Sequence, residues 1–445
     1  MNIIDNKKDI IVALATPYGK SAVAIIRMSG SRCIELASRY LARAPKVGRI
    51  EYNSFKADKF DEKLMTACFK APKSFSGEDT VELYPHGNMT VCDGIIATLI
   101  NGGARMAERG EFTKRAFENG KLDLMQCEAL ADIIDAQTTE QLNYGNKRYD
   151  GGFKALNDAE KALNKALSSV EAVFHYSDEL EDNEIDEAVM SDVYGAIDGV
   201  IEALSSEING YVGGKIINDG FKIALIGAPN VGKSTLLNAL TDSERAIVTP
   251  IAGTTRDTID SDFVYNDRKF TVVDTAGLNA DTTDEVEKIG ITRSLNEAEN
   301  ADAVLFVTDN PSEQPDIPFE VRNLTVVQNK CDGQKDVGTE YNKCSDGNRI
   351  KISAKNRINI TALKQKLYDL CPKDHGAICN HRQYGCAIRC LESLKEAKKQ
   401  SRGAQNLEIV AALLYEAYSA ITELYGGQAD EKVLDSVFKR FCVGK

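Results

Sequence analysis

The fold is decided by the stretch Gly-Ala-Pro-Asn-Val-Gly-Lys-Ser at residues 227–234. It matches the pattern G-x-x-x-x-G-K-[ST] of phosphate-binding loops. The apolar run at residues 222–226 reads as a buried strand, and residues 234–240 begin a helix. The two glycines let backbone N–H groups turn inward around phosphate oxygens, and the helix N-terminus adds positive potential. The stretch therefore predicts a nucleotide-binding loop between a strand and a helix.

The side chains of this loop have separate predicted tasks. Lys233 would reach the β- and γ-phosphates, and the Ser234 hydroxyl would ligate Mg²⁺. The alternative is a glycine-lysine turn without a ligand at the end of a strand. The predicted nucleotide contacts of the loop are Asn230, Val231, Gly232, Lys233, Ser234 and Thr235.

A second motif, Val-Val-Asp-Thr-Ala-Gly at residues 272–277, places Asp274 at the end of an apolar run. There its carboxylate can hold Mg²⁺ through a water molecule. The N–H of Gly277 can donate to the γ-phosphate, and Thr275 and Ala276 complete this predicted contact.

Two further motifs point to guanine. Asn329-Lys330-Cys331-Asp332 follows another apolar run, and Asp332 can accept hydrogen bonds from the N1–H and 2-amino groups of guanine, which adenine does not offer. A loop at residues 353–355, with Ser353, Ala354 and Lys355, would hold the guanine O6. Four motifs in this order exclude the turn without a ligand. They predict a GTPase domain that binds GTP or GDP.

Length and composition set limits on the rest of the chain. The 445 residues correspond to roughly three domains. The net charge of -13 disfavours passive binding to a polyanion, so any nucleic-acid contact needs a local basic patch. Eleven cysteines without a regular framework suggest reduced thiols. With no apolar run of membrane-spanning length and no signal peptide, we expect a cytoplasmic protein without a membrane span.

Periodicity divides the chain into four parts and predicts a multidomain α/β protein. Residues 1–120 alternate strands, near 9–15, 22–28 and 64–70, with helices, which predicts an α+β domain. Residues 121–218 and 373–445 carry helical periodicity, and residues 219–372 form a Ras-like P-loop G domain. Each helical part alone would expose its apolar stripe to water. We therefore expect one discontinuous helical domain into which the G domain is inserted.

Two features leave alternatives open on spacing alone. Cys442, near the C-terminus, reads more simply as part of a frayed tail than as a nucleophile or redox thiol. Six cysteines and histidines lie within residues 371–390, which raises the possibility of a zinc-dependent nucleic-acid binder. Their spacing is irregular and lacks a Cys-x-x-Cys pair, so a zinc site is the less favoured interpretation.

Several blocks together resemble one family. They are Ala15-Thr16-Pro17, Arg-Met-Ser-Gly at residues 27–30, Gly77-Glu78-Asp79 with His86-Gly87, Gly-Glu-Phe-Thr-Lys-Arg-Ala-Phe at residues 110–117, Lys-Leu-Asp-Leu at residues 121–124, Gly-Thr-Thr-Arg-Asp at residues 253–257 and Phe-Cys-Val-Gly-Lys at residues 441–445. Joined to a G domain in this order, they resemble the tRNA modification GTPase MnmE (TrmE) family over the whole length.

The resemblance implies a function and partners. Members act with the flavoprotein MnmG (GidA), as a heterotetramer, to place aminomethyl or carboxymethylaminomethyl groups on C5 of the wobble uridine (U34) of certain tRNAs. They are homodimers, and the N-terminal domain dimerises and binds 5-formyl- or methylene-tetrahydrofolate. The folate contacts match Arg27, Glu82, Lys121 and Lys445. Cys442 then becomes a candidate catalytic residue near the folate.

The resemblance also bears on hydrolysis. Ras-like enzymes place a glutamine directly after Asp-x-x-Gly, but here Leu278 follows Gly277. The family couples hydrolysis to G-domain dimerisation and uses K⁺ in place of an arginine finger. The family's water-orienting carboxylate matches Glu287. The matching K⁺ ligands are Asn230, Thr249, Ile251 and Thr254, and the matching Mg²⁺ ligands are Ser234 and Thr255.

A second function class remains as an alternative. A GTPase switch for ribosome assembly would use its GTP state to gate RNA binding without modifying the RNA. Such proteins usually carry a basic RNA-binding module, and the acidic balance of this chain disfavours that interpretation.

Overall fold

The computed structural model describes residues 9–152, 154–177, 187–241, 260–274, 298–315, 317, 320–332, 345–346, 348–400 and 407–445. The chain forms two compact units. The first is Met1–Ala131 with Tyr149–Gly151 and Tyr418–Lys445, and the second is Asp132–Arg148 with Gly152–Ala417. The predicted domain boundaries divide the chain more finely and stay a prediction. No helix among the described residues is long and apolar enough to cross a membrane.

The secondary structure is mixed, as predicted. The strands are β1 (Ile10–Leu14), β2 (Ile26–Ser29), β3 (Ile50–Lys56), β4 (Asp61–Phe69), β5 (Thr80–Tyr84), β6 (Ala104–Met106), β7 (Phe221–Ile226), β8 (Asp260–Tyr265), β9 (Arg268–Asp274), β10 (Ala303–Thr308), β11 (Leu324–Gln328), β12 (Ser345–Asp346) and β13 (Arg349–Lys351). The helices are α1 (Cys33–Tyr40), α2 (Met89–Asn101), α3 (Glu111–Glu118), α4 (Leu124–Asp135), α5 (Thr139–Tyr149), α6 (Lys154–Ser177), α7 (Glu187–Asn209), α8 (Tyr211–Asp219), α9 (Lys233–Thr241), α10 (Ile360–Asp369), α11 (His381–Gln400), α12 (Leu407–Leu424) and α13 (Glu431–Phe438).

The first unit contains a six-stranded sheet in the order β3-β4-β5-β2-β1-β6. Neighbouring strands are antiparallel except β1 and β6, which are parallel. β2 begins at Ile26, later than the predicted residue 22, because the preceding residues make separate contacts: Ser21 forms an isolated bridge with Gly87, and the N–H of Ala24 donates to the Pro85 carbonyl. The α+β fold of this part is confirmed.

The second unit contains a seven-stranded sheet in the order β12-β13-β11-β10-β7-β9-β8. β9, β7, β10, β11 and β13 are parallel, and the two edge strands are antiparallel to their neighbours. In the sheet β7 lies between β9 and β10, so the strands that follow β7 in the chain are added on opposite sides of it. Ligands bind at the carboxyl ends of such strands where the order reverses, so the end of β7 is the expected position.

Helices from both sides of the G domain pack together in the second unit. α6 packs along α7, and α7 packs along α11, which follows the G domain in the chain. The apolar positions of α7 and α11 are buried, among them Ile197, Leu204, Leu391 and Leu394. The predicted discontinuous helical domain with an inserted G domain is therefore present.

Candidate functional site: the nucleotide edge and the N-terminal pocket

The predicted nucleotide motifs meet at one edge of the seven-stranded sheet. The glycine-rich loop follows β7, Asp274 ends β9, residues 329–332 follow β11, and residues 353–355 follow β13. These strands are parallel, so their carboxyl ends share an edge. We call this set of strand ends the nucleotide edge.

The backbone of the glycine-rich loop explains its two glycines. Gly227 has φ +154°, and a Cβ there would lie 2.1 Å from the carbonyl oxygen of Val307. Gly232 has φ +98°, and a Cβ there would lie 2.4 Å from Nδ2 of Asn329. Both positions combine a backbone that side chains rarely adopt with a close neighbour, so only glycine fits.

Lys233 is folded over its own loop. Its side chain is buried, and Nζ donates to the carbonyl oxygens of Gly227 at 2.7 Å and Ala228 at 3.0 Å. Ser234 and Thr235 follow in the first turn of α9, where both are exposed. Hydroxyl and carboxylate oxygens are the ligands that Mg²⁺ prefers. The exposed hydroxyl of Ser234 therefore fits a magnesium ion, and the magnesium role of Asp274, which ends the neighbouring strand β9, stays a prediction.

Asn329 joins the two halves of the nucleotide edge. It is buried, its Nδ2 donates to the carbonyl of Val231 at 2.9 Å, and its Oδ1 accepts from the N–H of Ala354 at 3.0 Å. One amide thus ties the phosphate loop to the loop predicted for guanine O6. A buried amide with both ends satisfied fixes this spacing, because any shift would leave a polar group unpaired.

Asp332 is oriented by two neighbours. Its Oδ1 accepts hydrogen bonds from the Ser353 hydroxyl and, at 3.3 Å, from Nδ2 of Asn356. No hydrogen bond joins Oδ2 to another described residue, so that oxygen can accept from a ligand. Ser353 and Ala354 are buried, whereas Lys355 is exposed.

Lys330 has a different partner. Its Nζ donates to Oδ2 of Asp309, the residue after β10, at 2.8 Å. This hydrogen bond holds the pKa of the Asp309 carboxyl below its usual value. Both side chains are nearly half exposed, so the ion pair itself contributes about 0–1 kcal/mol.

Eight predicted site residues lie outside the described residues. They are Thr249, Ile251, Thr254, Thr255, Thr275, Ala276, Gly277 and Glu287. The K⁺ ligands, the Mg²⁺ ligand Thr255 and the water-orienting residue therefore stay predictions.

A second cluster of predicted residues lies on the sheet of the first unit. Arg27 on β2 faces Glu82 on β5, and Nε of Arg27 donates to Oε1 of Glu82 at 2.8 Å. The guanidinium carbon lies 5.8 Å from the centre of the Phe112 ring and 6.0 Å from that of Phe75. We call Arg27, Glu82, Phe75, Phe112 and the adjacent Lys445 the N-terminal pocket.

The C-terminal residues complete this pocket. Nη1 of Arg27 donates to the carbonyl of Gly444 at 3.1 Å, and the N–H of Phe112 donates to the carbonyl of Lys445 at 3.2 Å. Burial, and then the charge of Arg27, lower the pKa of the Lys445 ammonium. The interpretation of these residues as a frayed tail is wrong, since they dock on the sheet domain.

The two other candidates of this region sit at its margin. Cys442 is exposed beside the docked residues. Lys121 is exposed, and its side chain packs by Gly77, where a Cβ would lie 3.1 Å from Cγ of the lysine. Among the described contacts none joins Lys121 to Arg27.

A charge network around the buried Arg115 is absent from the predictions made from the sequence. The guanidinium of Arg115 reaches the carboxylates of Asp9 at 2.6 Å, Glu111 at 3.0 Å and Glu78 at 3.1 Å. Burial alone would raise the pKa of the Glu111 carboxyl. The hydrogen bonds that this carboxyl accepts, the strongest of them from Arg105, outweigh burial and hold the pKa below its usual value. The network lines part of a cavity of about 700 Å³. The available signal was the density of charges in residues 77–79 and 110–117.

The cysteines and histidines of residues 371–390 do not converge. Cys371 belongs to the core of the G-domain sheet, and Cys390 is buried in α11. Burial raises the pKa of these thiols to about 11 and about 12, which keeps them protonated. In the described part of the chain, no group of three or more His, Cys, Asp or Glu side chains is placed to hold a metal.

Comparison with known proteins gives the family. A family model described as the MnmE helical domain matches residues 124–442, and one described as the N-terminus of the GTP-binding protein TrmE matches residues 10–121. The tRNA modification GTPase MnmE of Thermotoga petrophila is 36% identical over 459 residues, covering 98% of this chain and 100% of that protein. The chain belongs to the MnmE family of tRNA modification GTPases.

A second MnmE protein agrees with this assignment. The MnmE protein of Lactococcus lactis subsp. cremoris is 34% identical over 456 residues, which cover 98% of both chains. Among solved structures, the G domain of the FeoB iron transporter of T. maritima is 25% identical, covers 34% of this chain and 99% of that chain, and has a TM-score of 0.26. Membership in the MnmE family confirms the predicted GTPase.

Proposed function

We propose that this protein hydrolyses GTP to drive modification of C5 of the wobble uridine (U34) of certain tRNAs to aminomethyl or carboxymethylaminomethyl forms. It would act with a flavoprotein of the MnmG (GidA) family. The observation that carries the proposal is the meeting of a phosphate loop and a guanine-specific loop at one sheet edge, in a chain similar over 98% of its length to tRNA modification GTPases.

The residues of the nucleotide edge would divide the work of hydrolysis. Lys233 would exchange its two carbonyl partners for oxygens of the β- and γ-phosphates. Ser234 and Thr255, with Asp274 acting through water, would hold Mg²⁺, which neutralises charge on the phosphates when bound. Glu287 would orient the attacking water, because Leu278 occupies the position of the Ras glutamine.

A monovalent cation would replace the arginine finger. Asn230, with φ +63°, lies in the phosphate loop, and with Thr249, Ile251 and Thr254 it would hold K⁺. Hydrolysis would then depend on dimerisation of the G domains, because the dimer would hold K⁺ beside the phosphates and so supply the positive charge that an arginine finger supplies elsewhere. We expect GTP hydrolysis to be several-fold faster in K⁺ than in Na⁺ at equal ionic strength. Equal rates would contradict this role of the loop.

The N-terminal pocket would bind 5-formyl- or methylene-tetrahydrofolate. Arg27 and Lys445 offer cations for carboxyl groups, Glu82 offers acceptors for ring N–H groups, and the half-buried Phe75 ring beside Arg27 offers an apolar surface. Lys121 would contribute from the margin, and Cys442 would act near the folate. The chemistry of these side chains therefore fits the ligand.

An apolar sheet face supports the proposed homodimer. Tyr52 on β3 pairs with Met65 on β4, and both side chains point into solvent at 70% and 42% exposure. Ile50 and Phe69 extend the same face, which continues through Tyr84 toward Glu82. Exposed apolar side chains grouped on one sheet face mark protein interfaces. A second copy would cover it and enclose the N-terminal pocket.

Nucleoside analysis tests the proposal directly. Total tRNA from cells with and without the gene is digested, and the wobble nucleosides are separated by chromatography and mass spectrometry. We expect the C5-modified uridines to disappear in the deletion and to return with the intact gene. An unchanged nucleoside profile, with a defect in ribosomal subunits instead, would favour the ribosome-assembly alternative.

A further inference from the structure

The β8–β9 hairpin links the two parts of the G domain that carry predicted phosphate contacts. In the chain, β8 follows the block Gly-Thr-Thr-Arg-Asp at residues 253–257, and β9 ends at Asp274 of the second nucleotide motif. The turn between the strands, Asn266 and Asp267, has φ values of 49° and 62°. Two left-handed residues make the tight turn that matches the twist of paired strands. The hairpin is therefore a stiff ribbon, and in the chain the predicted phosphate contacts adjoin its open end.

The closed end of this ribbon is fastened to helix α5. Nε of Arg268 donates to Oε2 of Glu140 at 2.9 Å, and Nη2 donates to Oε1 of the same carboxylate. Arg268 is only 9% exposed. Oδ1 of Asp267 accepts from the N–H of Thr139 at 2.9 Å, which satisfies a donor at the start of α5. A bidentate pair and a helix cap thus hold the turn in one orientation.

The same helix contacts the chain where it enters and leaves the G domain. Nε2 of Gln141 donates to the carbonyl of Asn218 at 2.9 Å, and the hydroxyl of Tyr144 donates to the carbonyl of Gly376 at 2.8 Å. Nη1 of Arg268 also reaches the carbonyl of Pro372 at 3.2 Å. α5 therefore contacts the β8–β9 turn and the connections on both sides of the G domain.

We propose that Arg268 and Glu140 are a positioning pair that transmits the nucleotide state of the G domain to helix α5 and, through it, to the helical domain. A shift of β9 when the γ-phosphate contacts change would be carried along the ribbon to its turn. Because the pair is mostly buried and bidentate, the turn cannot move away from α5 without leaving two charges unpaired. The helix moves with the turn instead.

Hydrogen exchange of α5 measures this coupling without reference to tRNA. Exchange of the peptide covering residues 139–149 is compared in the full-length protein with GDP and with a non-hydrolysable GTP analogue. We expect about a fivefold difference in rate between the two states, the lower range of allosteric coupling. Glu140→Arg or Arg268→Glu should abolish the difference, and the double variant with exchanged charges should restore it. Glu140→Gln, which keeps the side-chain shape, should give an intermediate value.

A matched control uses a pair that joins two helices away from the G domain. Asp198 and Lys398 form an ion pair between α7 and α11. Exchanging their charges should leave the nucleotide-dependent difference in hydrogen-exchange rate at α5 unchanged. The proposal is overturned if the wild-type protein shows no such difference, or if the single variants of Glu140 and Arg268 retain it. Single variants that lose GTP affinity and melt early, without rescue by the double variant, would assign the pair a purely structural role.

The consequence for tRNA rests on the proposed function. Glu140→Arg should lower the amount of modified wobble uridine about fivefold, while kcat and KM for GTP hydrolysis stay near wild type. If the wild-type gene fails to restore the modified wobble uridine, the proposed function is wrong. The hydrogen-exchange experiment then still tests whether the nucleotide state is coupled to α5. If the wild-type gene restores it and Glu140→Arg does so equally, the positioning role is overturned.

Discussion

The nucleotide edge and the N-terminal pocket both present charged groups from strands of a sheet, but they collect them over different distances. In the nucleotide edge each group lies within a few residues of a strand end, and Lys233 bonds to carbonyls five and six positions before it. In the N-terminal pocket, Arg27 bonds to Glu82, 55 positions away, and to Gly444, 417 positions away.

This difference decides how each site tolerates change. The phosphate loop takes its shape from glycines that the local backbone requires, so its geometry is encoded where it is used. The N-terminal pocket depends on the pairing register of β2 with β5 and on the docking of the last residues of the chain. Substitutions in one site should therefore leave the ligand affinity of the other unchanged.

The largest expected effect is on guanine recognition. Asp332→Asn should lower affinity for GDP about 50-fold, because hydrogen bonds to charged groups contribute about 1.5–3 kcal/mol. The amide can still accept from N1–H but faces the 2-amino group of guanine with its own donor. Xanthosine diphosphate, with an oxygen at that position, should regain affinity. Fluorescent-nucleotide titration measures both constants.

The same variant also tests the separation of the two sites. Binding of a formyl-tetrahydrofolate to Asp332→Asn should equal that of the wild type. An unchanged affinity for GDP would show that Asp332 does not read the base. A parallel loss of folate binding would show that the two sites share their stability.

A smaller effect is expected at the N-terminal pocket. Arg27→Met keeps an unbranched apolar stem but removes the guanidinium cation and leaves the half-buried Glu82 with Tyr84 as its described partner. We expect affinity for a formyl-tetrahydrofolate to fall about tenfold, since one charged hydrogen bond is lost. Isothermal titration calorimetry gives the constant, and Arg43→Met, at an exposed arginine of the same unit, is the matched control. A fall in GTP affinity of similar size would contradict the independence of the sites.

Local signals explain what the sequence could predict. The motifs at residues 227–234 and 329–332 are contiguous, and their strand and helix contexts follow from apolar runs, so the sheet edge and the GTPase were predictable. The fold class followed because each helical part had an apolar stripe without a partner. These inferences needed only neighbours in the chain.

The remaining contacts depend on tertiary packing. Nothing near Glu140 or Arg268 distinguishes them from other charged residues, and their pairing appears only once the β8–β9 turn meets α5. The docking of residues 443–445 likewise requires the folded sheet domain, so spacing alone favours a frayed tail. Only the family resemblance points to Arg27 and Glu82, because two residues 55 positions apart in the chain carry no local signal.

The smallest expected effect is a pH dependence confined to the N-terminal pocket. Burial and the charge of Arg27 lower the pKa of Lys445 from its ordinary 10.5, although Cys442 partly opposes them. The ammonium therefore loses its proton at a lower pH than an exposed lysine does. The folate carboxylates are held best when the Lys445 ammonium is protonated. Folate affinity should therefore fall about two- to threefold as pH rises from neutrality toward 10.5, and solvent screening keeps this effect small. Lys445→Arg keeps the charge and should remove this dependence. GDP affinity measured over the same range is the internal control, and a pH profile that Lys445→Arg leaves unchanged would place the titrating group elsewhere.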